Sequence, residues 1–374
     1  MNWHDAAVRI PTRVRRVAGR AARRVAPDLA LVGWPPERPW KSAPRGARPK
    51  VGLVGFYGPG NYGDELFLDV FRRHLDDVAD VEVIFESTTR PYFERPVRDV
   101  VRAYDAIVIG GGDLVIPWAQ SDRYWLTDYL RRPVHVIGVG VPTWRPTKPN
   151  VVAALGDFLR HRNVSSITAR DAESAAWIRE HLRPRVEVAS SADLVFALPL
   201  PPVQRPTEPP ILGIIVRWRE GADDYTAVRA VAARGRELGY RLRTIVLSTG
   251  EVRSRDERAL DEVGLDDVER VASDDLVVLT RAIGECTMLF SHKFHGTVVA
   301  VSYGIPSVSM STTDKNRNLL RRLGRPDLVC GFDDPALPDR LTLPPAPIDL
   351  GVRDAMAREA TASLESLRER ILAG

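Results

Sequence analysis

The residues with most chemistry to offer fall in one run, Ser291-His292-Lys293-Phe294-His295-Gly296. Two imidazoles and an ammonium at a single turn suit an anion, and an imidazole also exchanges protons near neutral pH. The flanks suggest how the run is held. Met288-Leu289-Phe290 reads as the end of a buried strand, and the apolar stretch beginning at His295 reads as a short helix stopped by Gly304. A helix start offers unpaired N–H groups and the positive end of the macrodipole, so anions settle there. Lys315 follows, where a further helix begins near Thr313-Asp314. The alternative is a plain polar turn capped by Ser291.

Gly58-Pro59-Gly60-Asn61-Tyr62-Gly63 matches G-x-G-x-x-G between a strand and a helix, with Glu86 at the distance of a ribose-binding acid. Asp64 and Glu65 in the first helical turn would repel a pyrophosphate there, and Pro59 stiffens the turn, which argues against a nicotinamide cofactor. Two readings remain: the acids are favourable N-terminal charges, or Asn61, Asp64 and Glu65 face a cleft as hydrogen-bonding groups for a hydroxyl-rich substrate. Gly110-Gly111-Gly112-Asp113 ends another strand, where missing side chains permit close approach of a ligand or simply of neighbouring backbone. Arg170 stands at a strand–helix junction with Asp171 as a plausible N-cap; it is either a surface residue or a rim cation for phosphate or carboxylate. Arg217-Trp218-Arg219 ends the first strand of the second half and suits sugar stacking, anion binding or interdomain packing. Nucleophile elbow, H-E-x-x-H and Walker A patterns are missing, and no metal site is evident. His4, His74, His161 and His181 fall on the arm or on surface helices, and His135 opens a buried strand.

These positions need a scaffold, and the chain supplies one twice. From Lys50 to Ala189, strands near 51–56, 81–85, 106–109, 134–139, 166–168 and 186–189 alternate with helices near 64–75, 96–104, 149–162 and 171–182. Residues 199–210, with six prolines, break the pattern. Strands near 211–216, 242–247, 268–271, 287–290, 306–310 and 328–329 then alternate with helices near 222–238, 253–264, 274–284, 296–303 and 314–323. Near-continuous apolar strands between helices predict parallel sheets. The expectation is an α/β protein of two Rossmann-like, doubly wound domains facing a cleft, at 50–198 and 211–349. A basic arm with a Pro-rich linker (1–49) precedes them, and a helix at 350–374 closes the chain. Ligands of such sheets sit beyond the carboxyl ends of the strands.

At 374 residues two domains are expected, and 44% hydrophobic against 27% charged residues suffices to bury their cores. Net charge is +4, but residues 1–50 hold 12 basic against 3 acidic residues and the remainder 41 against 46. The body is therefore mildly acidic, which argues against a nucleic-acid partner. Residues 1–26 partly fit a basic amphipathic helix, compatible either with peripheral contact at an anionic membrane or with a disordered leader. Cys286 and Cys330 lack metal spacing, no run is long enough to span a membrane, and no signal-peptide core precedes the body. A cytoplasmic protein is expected, free or peripheral at the inner face of the membrane. Oligomeric state is not legible.

Taken together, residues 50–325 resemble the polysaccharide pyruvyl transferase family. The resemblance is carried by G-x-G-N-x-G-D-E at Gly58–Glu65, I-G-G-G-D at Ile109–Asp113, R-D-x-x-S at Arg170–Ser174, Asp193 before Val195-Phe196, S-x-K-F-H-G at Ser291–Gly296, G-I-P at Gly304–Pro306, and Lys315. Lys293 stands where the family commonly has Arg. The resemblance implies a GT-B-like pair of domains that transfers pyruvate from phosphoenolpyruvate to a sugar of a cell-surface polysaccharide or glycolipid, as a cyclic ketal, with no cofactor. It further implies that His295 is the general acid, that Arg170, Lys293, Lys315 and Gly296 bind phosphoenolpyruvate, and that Phe56, Tyr57, Asn61, Asp64, Glu65 and Arg217 meet a sugar or lipid-linked acceptor. The rival readings are a GT-B glycosyltransferase with a nucleotide-sugar donor and an inactive binding protein of glycan assembly.

Overall fold

The structure, a computed structural model, describes residues 48–84, 96–119, 121, 123–206, 208–219, 221, 224–265 and 267–373. The basic arm, most of its linker, Phe85 and Glu86 lie outside the described residues.

Two parallel sheets carry the chain. The first comprises β1 (Lys50–Val54), β2 (Asp80–Val83), β3 (Ala106–Gly112), β4 (Val134–Val139), β5 (Val164–Ala169) and β6 (Val188–Ser190), in the order β2-β1-β3-β4-β5-β6. The second comprises β7 (Ile211–Ile215), β8 (Arg241–Ile245), β9 (Glu269–Val271), β10 (Met288–Ser291) and β11 (Ser307–Ser309), in the order β11-β10-β7-β8-β9. All named pairings are parallel. In the first half the crossovers run through α1 (Tyr62–Leu75), α2 (Val97–Val101), α3 (Pro149–Leu159) and α4 (Ala172–His181). In the second they are α5 (Thr226–Glu237), α6 (Gly250–Val263), α7 (Leu276–Gly284) and α8 (Phe294–Ser302), followed by α9 (Asp314–Arg322). The strands read as unbroken apolar runs because helices cover both faces; β3, β4 and β7 are buried along their whole length.

The α/β, two-sheet expectation holds, with two local corrections. The glycines at 110–112 belong to β3, which they extend beyond Ile109. Leu328–Val329 is not a strand: a 3-10 turn, Pro326–Leu328, occupies the site, and a lone bridge joins Ser309 to Val329. The N–H groups of Leu328 and Val329 are engaged inside that turn, on the Arg325 and Pro326 carbonyls at 3.1 and 3.3 Å, so they are not free to extend a ladder.

The chain ends in α10 (Leu350–Ala373), which crosses back to the first half. Its buried residues, Met356, Ala360, Leu364, Leu367 and Ile371, recur at helical spacing and pack with α1 and the Leu194–Phe196 turn in the cluster that also holds the second sheet's core. Ser191 Oγ donates to the Glu359 carbonyl at 3.1 Å, and Arg368 donates to the His74 carbonyl at 3.0 Å while pairing with Asp77. Among the described residues no helix is long and apolar enough to cross a membrane.

Candidate active site

Each sheet has one point where its winding reverses, between β1 and β3 in the first and between β7 and β10 in the second. The turns leaving those strands carry the Gly58–Glu65, Gly112–Asp113, Arg217–Arg219 and Ser291–Gly296 motifs. They face one another across a cleft of about 990 Å³. Topology explains the convergence, since crossovers that diverge at these points leave a crevice at the strand ends.

His295 is built from the turn upward. Lys293 is extended and opens α8. The turn is clipped by Ser291 Oγ, which donates to the Lys293 carbonyl at 2.7 Å and accepts from the Lys293 N–H at 3.2 Å. A Cβ on Gly296 would strike that hydroxyl. Gly296 is therefore buried beneath the turn, where it makes room, and it does not line the cleft.

The His295 side chain leaves the second half and lands on the first. A Cβ on Gly63 would occupy the place of its Nδ1, and the Phe67 ring meets it edge-on with centroids 5.1 Å apart. Its Nε2 lies 3.5 Å from Oδ2 of Asp193, which is held in place by the Val195 N–H on Oδ1 at 3.0 Å. Burial alone would raise the Asp193 carboxyl, but His295 and then Arg170 outweigh it and hold it below the ordinary range. Asp193 is thus a carboxylate facing the imidazole, a partner that the sequence offered only as an Asp before an apolar Val-Phe pair.

The expected cations are differently employed. Arg170 is 5% exposed and sits behind Asp113, to which its Nη2 is bonded, so it does not line the cleft. Gly140 leaves the space it fills. Lys315 Nζ donates to the other Asp113 oxygen at 2.8 Å and does line the cleft. Burial would raise Asp113, yet Lys315 and Arg170 hold it well below the usual carboxylate range. Both cations also lie over the Phe294 ring, at 5.2 and 5.3 Å from its centroid. Lys293 reaches the cleft, but its ammonium donates to the Leu247 carbonyl at 2.8 Å and pairs with buried Asp256. Burial lowers its pKa against the pull of Asp256. Its charge is matched by Asp256 in this structure, as that of Lys315 is by Asp113.

Of the expected acceptor residues, Phe56, Asn61, Asp64 and Arg217 line the cleft. Tyr57 does not: it is buried and its hydroxyl donates to the Gly110 carbonyl at 2.7 Å. Glu65 does not either, because its Oε1 accepts from the N–H groups of Gly58 at 2.8 Å and Gly60 at 3.1 Å. That clip explains the acid in the first turn and removes the donors a dinucleotide pyrophosphate would need. Gly60, at φ +93°, accepts from the Thr249 N–H at 2.8 Å, so the glycine turn docks on the second half of the chain. A Cβ there would strike the Thr249 carbonyl.

Asp64 supplies a second titratable group, where the sequence pointed to His295 alone. It accepts from Asn61 Nδ2 at 2.6 Å. Burial raises its carboxyl, Lys315 opposes, Glu65 and Asp113 add to the rise, and the result is about 7. One further feature carried no signal in the sequence. Trp118 and Trp144 meet edge-on at 5.3 Å on the first-half wall, and Trp144 is 50% exposed. They sit in loops after β3 and β4, where apolar content gave no periodic signal. His292, on the opposite wall, is 3% exposed and stacks on Phe332 at 4.8 Å.

The geometry agrees with what the sequence matches. The family model for polysaccharide pyruvyl transferases matches residues 61–314, from Asn61 of the glycine turn to Asp314 beside Lys315. The chain belongs to that family. Among curated proteins no sequence match is found. Solved structures share the fold. One is a UDP-N-acetylglucosamine 2-epimerase from Rickettsia bellii, at 11% identity and TM-score 0.56 over 87% of this chain and 96% of that one. Another is the S. aureus MnaA–UDP complex, at 10% identity and TM-score 0.56 over 85% and 95%. A third is Anabaena Alr3699/HepE with UDP-glucose, at 12% identity and TM-score 0.51 over 86% and 98%. At such identities the likeness concerns the fold: this polysaccharide pyruvyl transferase family member has the GT-B arrangement.

Proposed function

We propose that the protein transfers the carboxyvinyl carbon skeleton of phosphoenolpyruvate to a sugar as a cyclic pyruvate ketal. One observation carries the reading: the Asp193–His295 pair at the start of α8 and the titratable Asp64 at the start of α1 share one cleft with Lys315. The α8 N-terminus and Lys315 favour a phosphate and a carboxylate together. His295 delivers a proton to C3 of the enol, and Asp193 stabilises the imidazolium form and fixes the ring. C2 then accepts the oxygen of a first sugar hydroxyl. The C2–O bond to phosphate breaks with its electrons going to phosphate, and the second hydroxyl closes the ketal at C2. Two hydroxyl protons are released: one replaces the proton given to C3 and the other leaves on phosphate. Asp64, where its carboxylate is ionised, is the group suited to accept a hydroxyl proton. The Trp118–Trp144 wall suits the apolar face of a sugar ring.

Incubation with phosphoenolpyruvate and candidate glycans, followed by phosphate assay and mass spectrometry, tests this. Phosphate release should accompany an acceptor heavier by one pyruvate less water. Turnover of a nucleotide sugar without any use of phosphoenolpyruvate would replace this reading with the glycosyltransferase. Residues 1–26 would bring the enzyme to an acceptor at a membrane surface, which vesicle co-sedimentation of the full chain checks.

A further inference from the structure

The cations considered so far carry partners: Arg170 and Lys315 share Asp113, and Lys293 holds Asp256. A second group in the same cleft does not. Arg217, Arg219 and Arg255 line its second-half wall and form no hydrogen bond or ion pair within the described residues. They are drawn together with aromatic rings, Arg219 lying 5.7 Å from the Phe332 centroid and Arg255 5.7 Å from that of Trp218. At the floor is His292, whose two ring nitrogens are buried and without a partner among the described residues. A buried imidazole with both nitrogens unsatisfied is costly, and such groups ordinarily meet a partner. Burial, Arg219, Arg217 and Lys293 in turn push it down to about 3, so it is neutral and holds one N–H to donate. Burial and then Arg217 also lower Arg219, with Asp333 the acid acting against them. The convergence is unfavourable until an anion enters it.

This pole is separate from that of His295. The two histidines flank Lys293 and Phe294 but turn to opposite halves, His292 to Phe332 and His295 to Phe67. A donor whose C3 must reach His295 therefore leaves the Arg217–Arg219–His292 pole for a different anion. We infer that Arg217, Arg219, Arg255 and His292 form a second anion subsite that binds a diphosphate ester carried by the sugar acceptor, separately from phosphoenolpyruvate. Three guanidinium groups without a hydrogen-bond or ion-pair partner among the described residues suit the two charges of a diphosphate diester, and guanidinium forks match phosphate oxygens bidentately. The acceptor would then be an activated, carrier-bound glycan rather than a finished neutral polysaccharide. The carrier is a nucleoside or a prenyl chain; both present the same group. The inference rests on the pyruvyl-transfer reading, but its test is independent of turnover.

The full chain is titrated calorimetrically with inorganic pyrophosphate, UDP-N-acetylglucosamine, citronellyl-diphosphate-linked N-acetylglucosamine, the phosphate-free methyl glycoside, and phosphoenolpyruvate. Saturable binding of pyrophosphate and at least one glycosyl diphosphate, absent for the methyl glycoside, is expected; the tighter of the two glycosyl diphosphates names the carrier. Arg219→Ala, at an exposed position, should weaken pyrophosphate about tenfold, the loss of one charge-assisted contact, while leaving phosphoenolpyruvate affinity in place. His292→Gln, checked for folding by circular dichroism, should weaken it too, and Arg217→Ala/Arg219→Ala together should abolish it. Competition between pyrophosphate and phosphoenolpyruvate with loss of both in Arg219→Ala would assign the cluster to the donor and overturn the inference. So would the absence of saturable diphosphate binding. Pyrophosphate binding by a protein that ignores phosphoenolpyruvate would keep the subsite and sink the pyruvyl-transfer reading instead.

Discussion

At the scale of single residues, the chemistry turns on which charges remain unmatched. His295 faces a carboxylate, Asp193, that burial has not neutralised. His295→Gln should cut transfer by about 10²–10⁴-fold with phosphoenolpyruvate binding retained, as measured by single-turnover assay and titration. Asp193→Asn should lower kcat more than it changes KM, because it acts through the imidazole. Asp64 makes a pH prediction. Its carboxyl titrates at about 7 in the fold against 3.8 when exposed. In its proposed role as base it must be ionised, so turnover should rise as pH passes through about 7, and Asp64→Asn should remove that limb. The stability effect has the opposite direction. Between those two values the folded chain binds the proton that the unfolded chain has lost, so stability falls as pH rises through the window, by about 1.4 kcal/mol per unit. Asp64→Asn should therefore unfold later than the parent at pH 8 and no later at pH 4, as read by urea midpoints.

At the scale of elements, the starts of α1 and α8 are fitted to each other. Gly63 in the first turn of α1 is what lets His295 of α8 approach. Gly63→Ala should leave helix content unchanged and displace His295, lowering kcat by about 10²-fold, the scale of a small misplacement of a reacting group. Circular dichroism with steady-state kinetics separates the two effects; wild-type turnover in Gly63→Ala would refute this fit. A second clamp joins α9 to the first half, where Asp314 accepts the Thr143 N–H at 2.9 Å and its hydroxyl at 2.7 Å. It brings Lys315 beside Asp113.

At the scale of the molecule, α10 ties the second half to the first. Its buried Met356, Leu364, Leu367 and Ile371 contribute about 6–12 kcal/mol of apolar burial before ordering costs, comparable to the whole net stability of a domain. Deleting residues 350–373 should thus leave a chain that aggregates or melts far below the parent in thermal scans. A truncated chain with the parent's melting temperature would show that α10 is ornamental.

The α/β class, the two-fold alternation, the family and the position of the His295 turn are legible along the chain. Those properties rest on local signals: apolar strand runs, helical spacing, and glycine at turns. Which of the candidate groups meet the cleft depends on the folded chain. Arg170 and Lys293 were legible as cations, but the acids that claim them, Asp113 and Asp256, lie 57 and 37 positions away, and nothing in the chain order pairs them. Glu65 read equally well as a ligand or as a turn clip until its bonds to Gly58 and Gly60 were seen. His292 and His295 sit three positions apart in one motif, yet they serve opposite walls. A side chain's type is written locally, whereas its solvation and its partners depend on surfaces that only folding brings together.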